Sequence, residues 1–310
     1  MPNGNYMFRP RSCLEKNLKV IVVDEVSMLP RTLWDLLCSH KVYIIALGDP
    51  GQLPPIDKDE NNHVLDNPHI FLDEIMRQAQ ESEIIRLSMH VREGKSLSSF
   101  HCNNEQVMII KPIDVTEGML KWADQILCAT NATRHTLNAN MRNILGFPAD
   151  HIVPGDKIIN LHNEWELKSN KDNPLTNGII SEVKEYNIWN NSYPYQLRHK
   201  SFYIPIFDAI ITGEEKEEEY HVLGDYNELL TGTPSLTGPE EFQLLKRFKS
   251  LSPIIPLHFN YGYAITCWKA QGSQWEKILG YEEQFPRIPI EHTQYLYTLI
   301  TRAQDRLVLV

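Results

Sequence analysis

Carboxylates follow two apolar segments of the sequence in a pattern suited to phosphate chemistry. The first segment, Val20–Val23, runs directly into Asp24-Glu25, and the second, Ile44–Leu47, runs into the loop Gly-Asp-Pro-Gly-Gln-Leu-Pro-Pro at 48–55. In sites that hydrolyse a nucleoside triphosphate, such an Asp holds Mg²⁺ and the following Glu orients or deprotonates the attacking water. A strand that ends in acid is common by itself. The second loop, whose uncharged Gln52 can sense a phosphate, makes the pattern specific for a nucleotide site.

Both segments are apolar throughout, which is typical of parallel strands buried on both faces in an α/β domain. Ligands of such sheets collect at the carboxyl ends of the strands, where the acidic residues of both segments would lie. A helix from about Pro30 to Ser39 is predicted between the two strands, because proline suits the first turn of a helix.

The two loops together resemble motifs II and III of superfamily 1 helicases, particularly the RecD-like and Dda-like branch. Later segments continue the resemblance in order. Residues 72–79 (Leu-Asp-Glu-Ile-Met-Arg-Gln-Ala) are similar to motif IV, 261–274 to motif V and 296–303 (Leu-Tyr-Thr-Leu-Ile-Thr-Arg-Ala) to motif VI. The resemblance implies catalytic roles for Glu25, Gln52, Arg77 and Arg302. In the family, the motif IV arginine reaches the γ-phosphate and the motif VI arginine acts as an arginine finger.

The resemblance also implies which residues hold ligands. The residues implied for ATP and Mg²⁺ are Asp24 for the metal, with Gly48, Asp49, Gly272 and Gln274 for the nucleotide. The residues implied for single-stranded DNA are Pro54, Thr130, Asn131, Thr266 and Lys269. Two residues depart from the family pattern, since Trp268 stands where His is usual and Gln274 where Glu is common. The first departure concerns a DNA contact, and the second weakens a ribose or Mg²⁺ contact at that position.

Thr130-Asn131 have two interpretations. They follow a predicted strand, Ile126–Ala129, and open a predicted helix that runs to about Leu145. Backbone N–H groups and small polar side chains at the start of a helix suit an anion such as a DNA phosphate. The same side chains equally suit capping of the helix. The residues alone leave both interpretations open, and the family resemblance favours DNA.

Bulk properties exclude several classes of protein. The chain has 310 residues, a formal net charge of −10 and five cysteines without Cys-x-x-Cys spacing. Scattered, odd-numbered cysteines favour a reducing cytoplasm and disfavour a zinc site. We expect no membrane partner, because no apolar run is long enough to span a bilayer. Much of the acid is concentrated in 213–241, so a local DNA groove is compatible with the overall charge.

The segment after Pro154 changes character. Short alternating strands with an Asn177-Gly178 turn extend to about Tyr220 and are similar to the SH3-like subdomain of RecD-like helicases. We therefore predict an α/β fold with two RecA-like lobes, the first incomplete, and a small SH3-like β-barrel insertion in the second. The predicted divisions are 1–70 for the partial first lobe, 71–153 for the first part of the second lobe, 154–250 for the insertion with the barrel and an acidic linker, and 251–310 for the last part of the second lobe.

A phosphate-binding P-loop is missing from the pattern. No Gly-x-x-x-x-Gly-Lys-Ser/Thr segment precedes Asp24. The triplet Gly94-Lys95-Ser96 does not qualify, because Met89 stands where the first Gly is required and the triplet follows a predicted helix. It is better interpreted as a helix stop.

Three hypotheses are consistent with this gap. The chain is a fragment of an ATP-dependent DNA helicase whose P-loop lies upstream, with the family's usual 5′→3′ movement on single-stranded DNA. Alternatively, it is one half of a split motor whose P-loop is on another chain, or a pseudo-helicase that binds nucleic acid or a partner without hydrolysing ATP. The first is favoured, because the four catalytic residues named above have a task only around a triphosphate.

Overall fold

A computed structural model of the chain describes residues 17–72, 81–187, 192–197, 200–213, 217–247 and 255–310. The chain divides into two compact units. The described part of unit 1 lies within 135–264, and that of unit 2 lies within 9–134 and 265–310. No helix in the described ranges is both long enough and apolar enough to cross a membrane.

The helices are α1 (Arg31–Ser39), α2 (Glu83–Arg92), α3 (Glu117–Trp122), α4 (Asn131–Ile144), α5 (Tyr226–Thr231), α6 (Gly238–Arg247) and α7 (Pro289–Ile300). The strands are β1 (Val20–Val23), β2 (Tyr43–Ala46), β3 (Val107–Ile109), β4 (Gln125–Cys128), β5 (Lys157–Asn160), β6 (Glu164–Lys168), β7 (Pro174–Leu175), β8 (Ile180–Asn187), β9 (Ser192–Leu197), β10 (Lys200–Thr212), β11 (Glu219–Asp225), β12 (Phe259–Tyr261), β13 (Ala264–Thr266), β14 (Trp275–Gly280) and β15 (Ala303–Leu309).

In unit 2, β1 and β2 form a two-stranded parallel sheet, connected through a short 3₁₀ turn and α1. This confirms the two predicted strands and the helix between them. Burial on both faces is not confirmed, because the side chains of Val20, Val22, Tyr43 and Ile45 are 42, 61, 83 and 51% exposed. They alternate with half-buried residues along each strand. One apolar face of this sheet is therefore left open by the described residues.

The second sheet of unit 2 has the strand order β13-β4-β14-β15-β3. Strand β14 pairs in parallel with both β4 and β15, and β15 pairs in parallel with β3. Strand β4 is buried along its whole length, and β14 is buried over its last three residues, 278–280, as expected for the centre of an α/β sheet. Helices α2 and α7 pack against each other and against β15. The unit thus combines a parallel sheet with helices that cross between its strands.

The predicted helix that ends before Gly94 is α2. Phe71 and Leu72 are not helical, and α2 begins at Glu83. The intervening residues 73–80, with the predicted motif IV arginine Arg77, lie outside the described residues. At the other end, Gly94 has φ +75° and follows α2, which confirms the interpretation of this position as a helix stop.

Unit 1 is built on a mainly antiparallel sheet with the order β11-β10-β8-β5-β12, and β9 pairs with β10. The predicted acidic linker is wrong in its first part, because β10 and β11 pair as antiparallel neighbours across the acidic run. Glu218 in this run is 2% exposed, and its carboxylate accepts hydrogen bonds from Ser169, Asn173 and Tyr220. This carboxylate is therefore bonded inside unit 1, as buried polar groups usually are, while Glu217 and Glu219 are exposed.

Candidate functional site

The carboxyl ends of β1 and β2 bring the two predicted loops next to each other. The amide of Leu47 donates to the Val23 carbonyl at 2.8 Å, and the amide of Val26 donates back to the Leu47 carbonyl at 2.9 Å. Asp24 is exposed at this edge, and its Oδ1 accepts the Glu25 amide at 2.9 Å. Both residues therefore lie where a parallel sheet binds its ligands.

Glu25 has an unusual backbone conformation. Its φ and ψ are 50° and 42°, in the left-handed region that non-glycine residues rarely enter. The neighbouring Ser27 hydroxyl is buried without a hydrogen-bond partner among the described residues. Backbone outliers of this kind are concentrated at functional sites, where the surrounding structure holds them in place.

The loop at 48–55 is bonded to the two segments that resemble motifs V and VI. The amide of Leu53 donates to the Thr298 Oγ1 at 2.9 Å, and the Gln271 side chain donates to the Leu53 carbonyl at 2.9 Å. The Gln294 side chain donates to the Pro50 carbonyl at 3.2 Å. Leu53 is 1% exposed, so this attachment is a packed contact as well as a polar one.

Gln52 carries an unmet hydrogen-bond acceptor. Its side chain is half-buried, and its Oε1 is buried without a hydrogen-bond partner among the residues that the structure describes. Buried polar atoms are almost always hydrogen-bonded, so this oxygen is an exception within the loop. The adjacent Pro54 is half-buried and Gly48 is exposed.

Asp49 makes its contacts within the protein. The Tyr297 hydroxyl donates to Oδ2 at 2.6 Å, and the Gly51 amide donates to Oδ1 at 2.9 Å. The guanidinium of Arg92, on α2, lies 3.6 Å from Oδ1. The carboxylate predicted to contact nucleotide is thus connected to α7 and α2.

Arg302 is buried just beyond the end of α7, with 5% of its surface exposed. Its Nε donates to the Thr298 carbonyl at 3.1 Å, Nη1 to the Ser273 carbonyl at 3.3 Å and Nη2 to Thr301 Oγ1 at 3.1 Å. Burial lowers the pKa of Arg302, while the charges of Glu25 and Asp49 act in the opposite direction. The guanidinium is therefore within electrostatic reach of the Glu25 and Asp49 carboxylates.

The predicted motif V residues form an exposed turn after β13. The amide of Lys269 donates to the Thr266 carbonyl at 2.9 Å, and Gly272 has φ +80°, which only glycine adopts without strain. Lys269 is exposed, and its pKa is lowered by burial of part of its side chain and by Arg134. Gln274 is exposed and donates to the Thr301 carbonyl at 3.3 Å.

Trp268, which replaces the usual His, stacks on the ring of Tyr295 at 6.3 Å between centroids. Its side chain is half-buried. The indole is thus supported from the α7 side, and the remaining surface lies beside the exposed turn that carries Lys269.

The start of α4 already holds a carboxylate. Glu283 accepts hydrogen bonds from the backbone amides of Ala129 and Thr130 and from the hydroxyls of Thr130 and Thr133. The hydroxyl of Thr130 also accepts the Thr133 amide at 3.2 Å, which is a helix-capping bond. Thr130 therefore caps the helix and binds an anion at the same time, while Asn131 is exposed.

The residues at this edge suit a magnesium ion only if a bound nucleotide supplies further ligands. Among the described residues, no group of three or more His, Cys, Asp or Glu side chains could hold a metal. Mg²⁺ commonly binds one or two carboxylates and completes its shell with phosphate oxygens and water. Exposed Asp24 suits this arrangement, whereas the carboxylate of Asp49 is engaged by Tyr297 and Arg92.

Unit 2 contains Glu25, Gln52 and Arg302, which the sequence singled out, and Arg77 is outside the described residues. Sequence reasoning missed four residues that contact the same loop: Arg92, Gln271, Tyr297 and Thr298. Tyr297 and Thr298 lie inside the motif VI segment, which offered a signal. Arg92 offered none, because it is an ordinary charged residue near the end of an amphipathic helix.

Two family models match this chain, and each matched range contains residues of the candidate site. A model of the UvrD-like helicase C-terminal domain matches residues 261–310, and a model described as an AAA domain matches residues 6–111. An ATP-dependent RecD2 DNA helicase from Deinococcus radiodurans is 24% identical over 294 residues, which cover 93% of this chain. The chain spans 35% of the length of that relative.

The fold is similar to that of a Pif1 helicase from Candida albicans, with a TM-score of 0.53 and 14% sequence identity. The similarity covers 94% of this chain and 71% of the Pif1 chain. It shows a mixed α/β architecture resembling the RecA-like lobes of that helicase. The two family models and the RecD2 relative agree with the resemblance of the ordered motifs to superfamily 1 helicases of the RecD/Pif1-like group.

Proposed function

We propose that this chain is part of an ATP-dependent DNA helicase or translocase that hydrolyses ATP between two RecA-like lobes. One observation carries the proposal. The Gln52 loop is bonded through Leu53 to Thr298, and the carbonyl of Thr298 accepts the Arg302 guanidinium. A phosphate-sensing loop and a transition-state arginine need this kind of physical connection if hydrolysis is to change the conformation of the protein. The RecD2 relative, described as ATP-dependent, supports the same activity.

The proposed catalytic roles follow from charge and position. Asp24 would hold Mg²⁺, which neutralises charge on the phosphates when it is bound. Glu25 would orient and deprotonate the attacking water, and Gln52 would donate to or accept from the γ-phosphate region. Arg302 would stabilise the negative charge that develops in the transition state, and Arg77 would do so from motif IV. Gly48, Gly272 and Gln274 would line the nucleotide.

Single-stranded DNA is the proposed track. Lys269 is an exposed cation, Thr266 is half-buried, and the Thr130 hydroxyl accepts the Thr133 amide. Cations and hydroxyls suit phosphate oxygens. Pro54 and Asn131 would complete the contact surface. Phosphate contacts of this type fix register without reading sequence, which is what movement along any DNA requires.

We further propose that the antiparallel sheet of unit 1 contains the counterpart of the SH3-like insertion of RecD-like helicases. Its support is the series of short antiparallel strands β5, β8, β10 and β11, inserted between α4 and the motif V segment. The divisions at residues 70, 153 and 250 remain the proposed domain boundaries.

The test is release of phosphate from Mg-ATP, with and without single-stranded DNA. The 310-residue chain should show little release by itself, because its sequence has no loop of the P-loop type. A protein that joins this chain to a P-loop segment should show release stimulated by DNA. Glu25→Gln in that protein should abolish turnover and retain nucleotide binding, since the amide cannot accept the proton of water.

Two results would contradict the proposal. One is a joined protein that binds ATP and DNA but never hydrolyses ATP. The other is near-normal turnover in the Glu25→Gln variant, which would remove the water-activating role from this residue. DNA-stimulated release by the 310-residue chain alone would leave the activity standing and show that the phosphates are held by other residues.

A further inference from the structure

One carboxylate, that of Asp49, joins the Gln52 loop to two helices. It accepts the Gly51 amide at 2.9 Å and the Tyr297 hydroxyl at 2.6 Å, and it lies 3.6 Å from Arg92. Gly51 belongs to the loop, Tyr297 to α7 and Arg92 to α2. Oδ1 is therefore shared between Gly51 of the loop and Arg92 of α2, and Oδ2 accepts Tyr297 of α7. Both helix residues lie more than forty positions away in sequence.

The Tyr297 ring is held on two further sides. A side chain at Gly51 would approach the ring to 3.1 Å, so the ring packs directly on the loop backbone. The guanidinium of Arg92 lies 5.4 Å from the ring centroid, in a cation–π geometry. Tyr297 is 8% exposed. Burial and the bond to Asp49 raise its pKa to about 12, so the hydroxyl donates throughout the neutral range.

The neighbouring residue extends this connection to the arginine. Thr298 is fully buried; its Oγ1 accepts the Leu53 amide, and its carbonyl accepts Arg302 Nε at 3.1 Å. Consecutive residues of α7 thus hold two points of the loop, on either side of Gln52. A displacement of the loop would have to move α7 or break these bonds, and a displacement of α7 would likewise have to move the loop or break them.

We propose that Asp49 and Tyr297 form a latch, completed by Arg92, that sets the position of Gln52 relative to Arg302. Tyr297 is a positioning residue in this proposal, because it acts through Asp49 and Thr298. The latch rests on the proposed function, since it links the phosphate-sensing loop to the transition-state arginine. It also gives Asp49 a task other than nucleotide contact.

The test removes one oxygen atom. Tyr297→Phe keeps the ring that packs on Gly51 and deletes the donor to Asp49. Amide hydrogen exchange at 48–55 in the 310-residue chain should become about tenfold faster, which corresponds to about 1.4 kcal/mol, close to the net contribution of a hydrogen bond to a charged group. Tyr295→Phe is the matched control. It deletes a hydroxyl from the same helix, one that donates to Tyr281, and should leave exchange at 48–55 unchanged.

The Asp49→Asn variant provides an independent test of the latch. If the two residues act as one latch, Tyr297→Phe in the Asp49→Asn background should add much less than tenfold, since the charged acceptor is already gone. Unchanged exchange in Tyr297→Phe, equal effects of Tyr297→Phe and Tyr295→Phe, or full additivity of the two changes would each overturn the latch.

Turnover separates the latch from the proposed function. In the protein that carries a P-loop, Tyr297→Phe should lower kcat several-fold and leave the KM for ATP within about twofold, because geometry rather than binding is lost. A general structural defect would move both constants. If exchange changes as expected but the wild-type protein never hydrolyses ATP, the latch stands and the proposed function fails.

Discussion

Glu25 combines a strained backbone with the side chain expected to activate water. Its left-handed conformation costs a non-glycine residue about 1 kcal/mol or more, and glycine adopts it freely. We therefore predict that Glu25→Gly raises the free energy of unfolding by about 1 kcal/mol and abolishes turnover. Urea denaturation and phosphate release measure the two effects. Glu25→Ala is the control: it also abolishes turnover but retains the strain, so a Gly variant no more stable than Ala would contradict the role of the backbone.

Arg302 is connected to three oxygens of its own unit, so its removal should affect both rate and stability. We predict that Arg302→Ala lowers kcat about a thousandfold in the protein joined to a P-loop segment, the lower end of the effect of an arginine finger. Arg306→Ala is the control, because Arg306 is exposed and pairs only with Asp305 among the contacts described. A normal rate in Arg302→Ala would place the arginine finger elsewhere.

At the residue level, the sequence singles out candidate residues that lie in short motifs. It does not indicate contacts between residues that are far apart in the chain. Asp24, Glu25 and Gln52 follow apolar strands, so local pattern was enough to single them out. Tyr297 and Arg92 meet Asp49 from 248 and 43 positions away, and no local signal reports such a contact. The same limit explains Glu283, whose partners lie about 150 residues earlier in the chain.

Helix α4 and Glu283 offer a test of the DNA interpretation at the level of one element. If the amides at Thr130 bind a DNA phosphate, the Glu283 carboxylate competes for them. We predict that Glu283→Ala binds single-stranded DNA several-fold more tightly and raises the magnitude of the salt slope by about 0.7, the value for one additional phosphate. Fluorescence anisotropy across a salt series measures both quantities.

Glu282→Ala is the matched control for this prediction. It removes the same charge from the next position, where the carboxylate pairs with His292 instead of the start of α4. Equal gains in the two variants would mean that only net charge matters, and that Thr130 serves as a helix cap without contacting DNA.

Elements were predicted well where their periodicity was strong. Strand β4 and helix α4 begin and end within one or two residues of expectation, because an apolar run and a helix cap mark them. The acidic run before β11 predicts a linker, since charge normally indicates solvent. The structure instead supplies Ser169, Asn173 and Tyr220 to a buried Glu218, and sequence does not reveal such partners in advance.

Unit 1 is held together by a buried charge network that should make its stability depend on pH. His258 bonds to Glu228 of α5 at 2.6 Å and to Glu241 of α6 at 2.9 Å, while the His162 ring lies 4.3 Å away. Burial alone would lower the His258 pKa, but the two glutamates outweigh it and raise the pKa to about 10. Nearby Glu164 has a raised pKa through burial.

A histidine whose pKa is raised on folding contributes stability at low pH and loses it as pH rises through the folded value. We therefore predict that the free energy of unfolding of this unit falls between pH 6.5 and about 10. Urea midpoints at successive pH values measure this, and His258→Gln should flatten the profile. His221→Gln is the control, because His221 pairs with Asp208 on the surface with 67% of its side chain exposed. A wild-type profile that is flat or rises across this window would contradict the prediction.

The open apolar face of β1 and β2 has a consequence for how the molecule behaves among other proteins. The two strands expose Val22 and Tyr43, and no further strand flanks them in the described part of the chain. An extended segment of another protein could therefore pair with either backbone edge and pack on the exposed apolar surface. Such a surface is a substrate for chaperones and a starting point for intermolecular sheet growth. We therefore expect association with other chains at this face of β1 and β2, beside the edge that carries Asp24.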